Sequence, residues 1–311
     1  MKKKFITTLL IPVMLTGCSP RQSTLEVTVG CPAGAPALSL YDNIKDGKVE
    51  IVTPKAVSSL LAYMANGKKD AIIVPTNAGV DAIKAGAEFK IAATLTFGNF
   101  YIASTGKDDN DTLDADDYLV CSQENNIVGL IFRAVYGTTY TNVHYVGDNP
   151  DAATCLASGI NTFDSNAEVK YVVIAEPAMT NVMNKKATVK QVRDIQEDYK
   201  TKFGNSFITQ ASVFVNNKTS KNKIDSFLET LEGNVNQLLT NPDEILRVTQ
   251  GMEETEISAY FATGDAALLR SVIDKNSVSL GYNKASDIKN EIDQFLTNLG
   301  KETTSEEIYY I

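Results

Sequence analysis

The chain of 311 residues has no tryptophan, a single histidine (His144) and four cysteines. One histidine removes most routes to a zinc centre, which needs several nitrogen, sulfur or carboxylate ligands at set spacings, and to an enzyme with a histidine base. Beyond Cys18, the cysteines Cys31, Cys121 and Cys155 show no metal-ligand spacing, and three thiols cannot all pair. They read as small buried thiols, with one disulfide left open. Basic residues are in deficit, 29 Lys and Arg against 38 Asp and Glu, for a formal charge of −9. No Lys/Arg cluster is interleaved with aromatics, so nothing points to nucleic acid. Beyond the first seventeen residues no apolar run approaches the ~20 residues that span a bilayer. What the chain does have is 43% hydrophobic residues, sufficient for one large or two medium cores.

The chain start carries an export pattern. Met1-Lys-Lys-Lys4 is a basic n-region, and Phe5 to Thr16 is an apolar run of secretory length, too short to span a membrane as a mature helix. Leu15-Thr16-Gly17-Cys18 resembles a bacterial lipobox, in which the cysteine is diacylated and becomes the new N-terminus. The expectation is a signal peptide over 1–17, lipidation of Cys18 and a polar tether over 18–24. Without Lys2, Lys3 and Lys4 the negative charge deepens by three.

The stretch Val27-Thr-Val-Gly30-Cys-Pro-Ala-Gly-Ala-Pro36-Ala-Leu-Ser-Leu-Tyr41 reads as strand, Gly/Pro loop and helix start. Such a turn leaves N–H groups unpaired at the positive end of a helix dipole, a seat for an anionic group; it is equally an ordinary strand-to-helix turn. Alternation then continues: strand 49–52, helix 55–66 capped by Gly67, strand 70–74, helix 79–85, strand 89–96 and strand 101–104. A polar stretch over 106–117 holds Asp108, Asp109, Asp111, Asp114, Asp116 and Asp117; lacking the EF-hand pattern, it reads as a solvated loop rather than a calcium site. The pattern restarts with strand 118–121, polar loop 122–126, helix 127–136, strand 143–146, helix 149–158, strand 169–175, a helix opened by Glu176-Pro177 and a strand over 188–195. Strand 210–215 precedes amphipathic helices over 223–239, 243–250, 256–261, 266–277 and 285–299. Two similar strand/helix blocks imply two α/β lobes, each a mostly parallel sheet with helices on both faces.

Gly34-Ala-Pro36-Ala-Leu38, Asp70-Ala-Ile-Ile-Val-Pro75 with Ala82-Ile-Lys-Ala-Gly86, Val169 to Ala175 with Glu176-Pro177-Ala178, and Gln210 to Asn216 together resemble the substrate-binding proteins of ABC importers. The nearest subgroup is the nitrate/sulfonate/taurine and thiamine-precursor receptors, and the likeness runs over residues 25–300. It implies a type II periplasmic-binding-protein fold: two lobes, each a mixed sheet flanked by helices, joined by two crossover strands. Residues 25–103 and 211–311 are then lobe one and 104–210 lobe two, with Tyr101–Ser104 as the outgoing crossing and Thr209–Ser212 as the return.

The resemblance places ligand groups on loops at strand carboxyl ends. Carried onto this sequence, these are Gly34, Ala35, Pro36, Thr76, Asn77, Asn99, Tyr101, Ser122, Gln123, Asn125 and Glu176. The 34–36 and 122–126 loops would face each other, and Phe100 or Tyr101 would stack on a heterocycle. Two features depart from the pattern: there is no Trp, and Arg133 is the nearest arginine, within a helix. Glu176 reads equally as a carboxylate for a ligand amine and as a cap for the helix at Pro177. His144, mid-strand, reads as a packing or surface residue.

The resemblance therefore implies a non-enzymatic, lipid-anchored receptor on the extracytoplasmic membrane face. It would capture an organic anion, a sulfonate or a heterocyclic vitamin precursor, without cofactor or metal, for a permease and its ATPase. An enzyme on the same fold, of thiamine-pyrimidine or menaquinone-pathway type, and a sensor lipoprotein are the alternatives.

Overall fold

The computed structural model describes residues 25–53, 56–107, 112–164, 166–204 and 206–311. The expected signal peptide over 1–17, Cys18, the expected tether over 18–24, and Asp108, Asp109 and Asp111 lie outside the described residues.

Strands and helices alternate from the start: β1 (Val29–Pro32), a 3-10 helix (Ala35–Asn43), β2 (Val49–Val52), α1 (Val57–Asn66), β3 (Ala71–Pro75), α2 (Thr76–Lys84), β4 (Phe89–Thr96) and β5 (Phe100–Ser104). The second block holds β6 (Leu119–Ser122), α3 (Ile127–Tyr136), β7 (Val143–Val146), α4 (Asn149–Ser158), β8 (Ile160–Asn161), β9 (Ala167–Glu168), β10 (Tyr171–Ala175), α5 (Ala178–Lys185), β11 (Lys190–Asp194) and α6 (Ile195–Lys202). The chain ends with β12 (Ala211–Asn216), α7 (Lys221–Thr240), α8 (Glu244–Thr249), α9 (Glu254–Phe261), α10 (Ala266–Asp274), β13 (Leu280–Lys284), α11 (Lys289–Asn298) and a 3-10 turn (Glu306–Ile308).

Two large sheets result, ordered β13-β4-β12-β3-β1-β2 and β11-β5-β10-β6-β7, beside the two-residue hairpin β8-β9. The same plan is used twice. A parallel core (β2-β1-β3 and β7-β6-β10) is followed by one antiparallel strand delivered from the other sheet, then by the fourth strand of the block. In the first sheet that inserted strand is β12, antiparallel to both β3 and β4; in the second it is β5, antiparallel to both β10 and β11. The sheets are thus mixed rather than mostly parallel.

This topology corrects the outgoing crossing. Tyr101–Ser104 is not a bridge between lobes but a fully paired interior strand of the second sheet. The chain crosses at Phe97–Asn99, just after β4, and returns just before Ala211, where Gln210 N–H donates to Thr96 O at 2.9 Å.

The interior strands of both sheets are buried on both faces, which is why they read as nearly unbroken apolar runs. Ile73, Leu95, Val213 and Val215 pack with the opening 3-10 helix, α7 and α10. Alternate residues Ile72, Val74, Ile91 and Phe214 pack with α1, α2 and α11 on the opposite face. In the second sheet Phe100, Ile102, Cys121 and Val173 meet α3 and α6, while Ala103, Val120, Val172 and Ile174 meet α4 and α5. Cys31, Cys121 and Cys155 are free and buried, and burial raises all three thiols above their ordinary pKa.

α6 and β13 escape the sequence pattern, as do the two-residue strands β8 and β9. In α6 only Ile195, Gln196 and Tyr199 are buried, too few to show helical periodicity. β13 is a partly exposed edge strand containing Gly281 and Asn283, residues that ordinarily disfavour strands. α2 begins at Thr76, one turn earlier than its apolar spacing indicates, and α11 begins later, at Lys289. The tail is docked: Tyr309 bridges Ile91, and Tyr310 N–H donates to Ile91 O at 2.9 Å.

α11 also ties the lobes together. Ile292 and Leu296 are buried against the first sheet, whereas Phe295 is buried in the core of the second, 6.4 Å from the Tyr199 ring. Asn298 Nδ2 adds a 2.8 Å hydrogen bond to the Tyr199 hydroxyl. Truncating a buried Phe costs ~3–5 kcal/mol. Phe295→Ala is therefore expected to destabilise the protein by about that amount in urea unfolding; a loss below ~1 kcal/mol would show that α11 does not join the two cores.

Candidate functional site

The carboxyl ends of β1, β2 and β3 face those of β6, β7 and β10 across a cavity of about 800 Å³, within the size range of small-molecule pockets. Each of these strands leads into a helix, so the cavity wall includes the first turns of six helices. From lobe one come the opening 3-10 helix, α1 and α2; from lobe two, α3, α4 and α5. Helix N-termini concentrate unpaired N–H groups and partial positive charge. Their caps divide them. Asp148 Oδ1 accepts from Asp151 N–H at the start of α4, and Asn126 Oδ1 accepts from Gly129 N–H at the start of α3. α2 has no side-chain cap.

The two opposing loops differ in what they leave free. In the opening loop Ala33 N–H donates to Val52 O, Gly34 N–H to Tyr260 O and Ala37 N–H to Gly34 O, and Pro36 has no N–H. Ala35 alone is left, so this loop is a shaped wall rather than a nest of donors. Gly34 has φ 108° and ψ −149°, a conformation essentially closed to other residues. Across the cavity, Gln123 N–H donates to Val146 O, and the first turn of α3 presents the backbone of Ile127 and Val128. Gly129 makes this possible: a Cβ there would lie 2.4 Å from Gln123 O and 2.5 Å from Glu124 O. Arg133 braces the same loop from outside, its Nη1 donating to Glu124 O at 2.5 Å and lying 3.5 Å from the Glu124 carboxylate.

Gly34, Ala35, Pro36, Asn77, Asn99, Ser122, Gln123, Asn125 and Glu176 all line the cavity. Thr76 does not. As the first residue of α2 it turns back into the sheet, where its hydroxyl bonds Ser212 Oγ at 2.7 Å, and Ser212 in turn bonds Thr94 at 3.0 Å. Tyr101 does not either. Successive strand residues point to opposite faces: Phe100, packed on the α3/α6 face, is among the cavity-lining residues, while Tyr101 faces a separate groove beside Phe97, Phe207 and Ser279. Its hydroxyl donates to Ser277 O at 2.9 Å. His144 lies elsewhere, stacked on Tyr118 with ring centroids 4.0 Å apart and bonded to Asn142.

Glu176 resolves toward the structural side of its two readings. Its carboxylate accepts from Thr180 N–H at 3.0 Å and from Thr180 Oγ1 at 2.5 Å, capping the turn that opens α5. Burial pushes its carboxyl above the usual glutamate range, opposed by the Thr180 hydrogen bonds, by Ser277 and by the Lys275 charge.

Half of the buried polar side-chain atoms without a partner, four of eight among the described residues, belong to residues that line this cavity. Asn77, Asn99, Ser122 and Gln210 are 7%, 2%, 0% and 9% exposed, yet Asn77 Oδ1, Asn99 Oδ1, Ser122 Oγ and Gln210 Oε1 have no hydrogen-bond partner. Buried polar atoms are nearly always paired, and an unpaired one costs ~1–3 kcal/mol. Four such atoms on residues of one cavity leave hydrogen-bonding capacity there unused. The sequence singles out three of these four as ligand residues; Gln210 it places at the start of a strand and in the return crossing, but not in the site. The charged residues lining the cavity, among those described, are Asp148 and Glu176.

Comparison with known proteins places this geometry. No protein-family model and no curated protein matches the sequence. Solved structures do match. A protein described as an ABC transporter from Parabacteroides distasonis superposes with a TM-score of 0.70 at 14% identity, covering 93% of this chain and 99% of its own. The periplasmic aliphatic sulphonate binding protein of Escherichia coli gives 0.61 at 14% identity, covering 91% of both chains. A Candida albicans protein, described as having the generic periplasmic binding protein fold, gives 0.56 at 12% identity over 91% and 92%. The chain therefore has the periplasmic-binding-protein fold, with the two-lobe, mixed-sheet arrangement expected of type II.

Two outcomes follow for single substitutions. Ser122→Ala removes an unpaired buried hydroxyl, so stability of the ligand-free protein is expected to stay level or rise, by up to ~1–3 kcal/mol, in thermal or urea unfolding. A loss above ~1 kcal/mol would show that the hydroxyl is already satisfied. For Glu176, the proton is held more tightly in the folded than in the unfolded state. The stability this gives is complete below the ordinary carboxyl value of 4.5 and is lost as pH rises through the folded value. Urea unfolding at a series of pH values should show the wild type losing stability relative to Glu176→Gln from about pH 4.5 upward; the opposite slope would refute the assignment.

Proposed function

We propose that the protein is an extracytoplasmic receptor that captures a small organic solute between its lobes and delivers it to an ABC permease. The observation that carries this reading is the set of four unpaired polar atoms on the walls of the interlobe cavity. The solved structures described as ABC-transporter and sulphonate-binding proteins support it through their shared fold, and the lipobox at Leu15–Cys18 supports it independently. In this reading Cys18 carries the lipid that holds the receptor at the membrane, and the tether leads into residue 25. Residues 25–96 with 211–311 form lobe one, 100–204 form lobe two, and Gly34–Pro36, Asn77, Asn99, Ser122, Gln123, Asn125 and Gln210 contact the ligand.

The receptor performs no bond chemistry. Ligand bound between the lobes favours the closed arrangement because only there do both walls contact it, and the permease reads that arrangement. The cavity suits this role better than catalysis. Asp148 and Glu176 are engaged in capping α4 and the turn into α5, and His144 is bonded to Asn142 away from the cavity.

A screen of small metabolites by thermal unfolding tests the reading. A true ligand at 100 times its Kd stabilises by ~2.7 kcal/mol, a shift of several degrees. The same ligand should reduce the radius of gyration measured by small-angle X-ray scattering. A broad screen without any stabilising compound would sink the proposal.

A further inference from the structure

The hinge contributes to the cavity as well as joining the lobes. Asn99 ends the outgoing crossing, Gln210 ends the return, and both line the cavity with a buried, unpartnered amide oxygen. For Asn99 the amide orientation is fixed by its partner. Its Nδ2 donates at 2.9 Å to the Glu176 backbone carbonyl, which can only accept, so Oδ1 is the atom turned away and left without a donor. On the same cavity wall the Glu176 carbonyl already accepts from Asn99 and the Glu176 carboxylate from Thr180, so neither brings a donor, and the Gln210 amide lies on the return crossing. Elsewhere on the wall, the first turn of α3 at Ile127 and Val128 offers donors.

From this polarity we infer that the ligand is a nitrogen-bearing solute whose N–H group docks on Asn99 and Gln210 at the hinge, with an acceptor group turned toward α3. Resting on the receptor reading above, this narrows the solute class. An N–H donor brings no spare lone pairs into a wall already crowded with acceptors, whereas a hydroxyl brings two. A simple sulfonate, a carboxylate or a phosphate monoester dianion offers no donor to Asn99 and would leave both amide oxygens buried and unpaired. Primary amides, ring N–H heterocycles and amines meet the requirement. Since the acceptors sit on the two crossing segments, this contact links occupancy of the cavity directly to the segments that bend on closure.

Native mass spectrometry of the protein purified from its own host, followed by identification of the released small molecule, tests the inference first. The expected result is a compound with at least one N–H. A nitrogen-free acid would overturn the inference while leaving the receptor reading intact. If the protein emerges empty, thermal unfolding with paired probes decides: nicotinamide against N,N-diethylnicotinamide and uracil against 1,3-dimethyluracil, with butanesulfonate, acetate and inorganic phosphate as anions. At least one N–H probe should stabilise the protein, with affinity falling at least tenfold on N-alkylation. Stabilisation by the anions alone overturns the N–H class and keeps the receptor; stabilisation by neither, together with a blank metabolite screen, overturns both.

Discussion

Each sheet is completed by a strand that the chain delivers from the other sheet. β5 lies between β10 and β11, and β12 lies between β3 and β4, each hydrogen-bonded on both sides. Two covalent crossings therefore join the lobes, and both emerge beside interior strands rather than at a sheet edge. That constraint sets the rest of the molecule. The carboxyl ends of three strands in each lobe converge on one cleft, their helices point their first turns into it, and the crossings supply its Asn99 and Gln210.

Buried polar groups fall into two sets. Many pair internally: Ser212 links Thr76 and Thr94, and Asn234 donates to Ser39 O and to Asn43. In the cavity, Asn77, Asn99, Ser122 and Gln210 are equally buried but keep an atom unpaired. Such atoms reduce stability until something binds, and binding recovers what they cost. The surrounding structure holds them rigidly: the Glu176 carbonyl fixes Asn99, and Gly129 lets the 122–126 loop lie directly on α3.

The elements on which the cavity is built were legible in the sequence because their signals are local. Helices α3 and α4 follow from apolar spacing and from their capping residues Asn126, Asp148 and Gly159. β4 and β7 follow from apolar or β-branched runs bounded by turn residues. Loops at the ends of such strands could be named as ligand loops by resemblance, and nine of the eleven named residues line the cavity. The two that do not were lost to geometry finer than the motif. Thr76 is already helical and turns inward, and Tyr101 is one residue out of phase with the cavity face. β13 and α6 were missed because an edge strand and a mostly exposed helix draw their order from neighbours rather than from their own composition.

By itself the sequence determined what depends on short-range chemistry: the class of elements, their order, the two similar α/β blocks, the export pattern at the start, and the want of histidine. Only the tertiary structure decided which strands cross, that the sheets are mixed, which way Glu176, Tyr101 and Thr76 point, and that Gln210 joins the site. The reason is that strand insertion and side-chain facing depend on partners more than a hundred residues away. Ser212 meets Thr76 across 136 positions and Tyr101 meets Ser277 across 176. No periodicity along the chain encodes such pairings; they are set when the two sheets close around the strands they exchange.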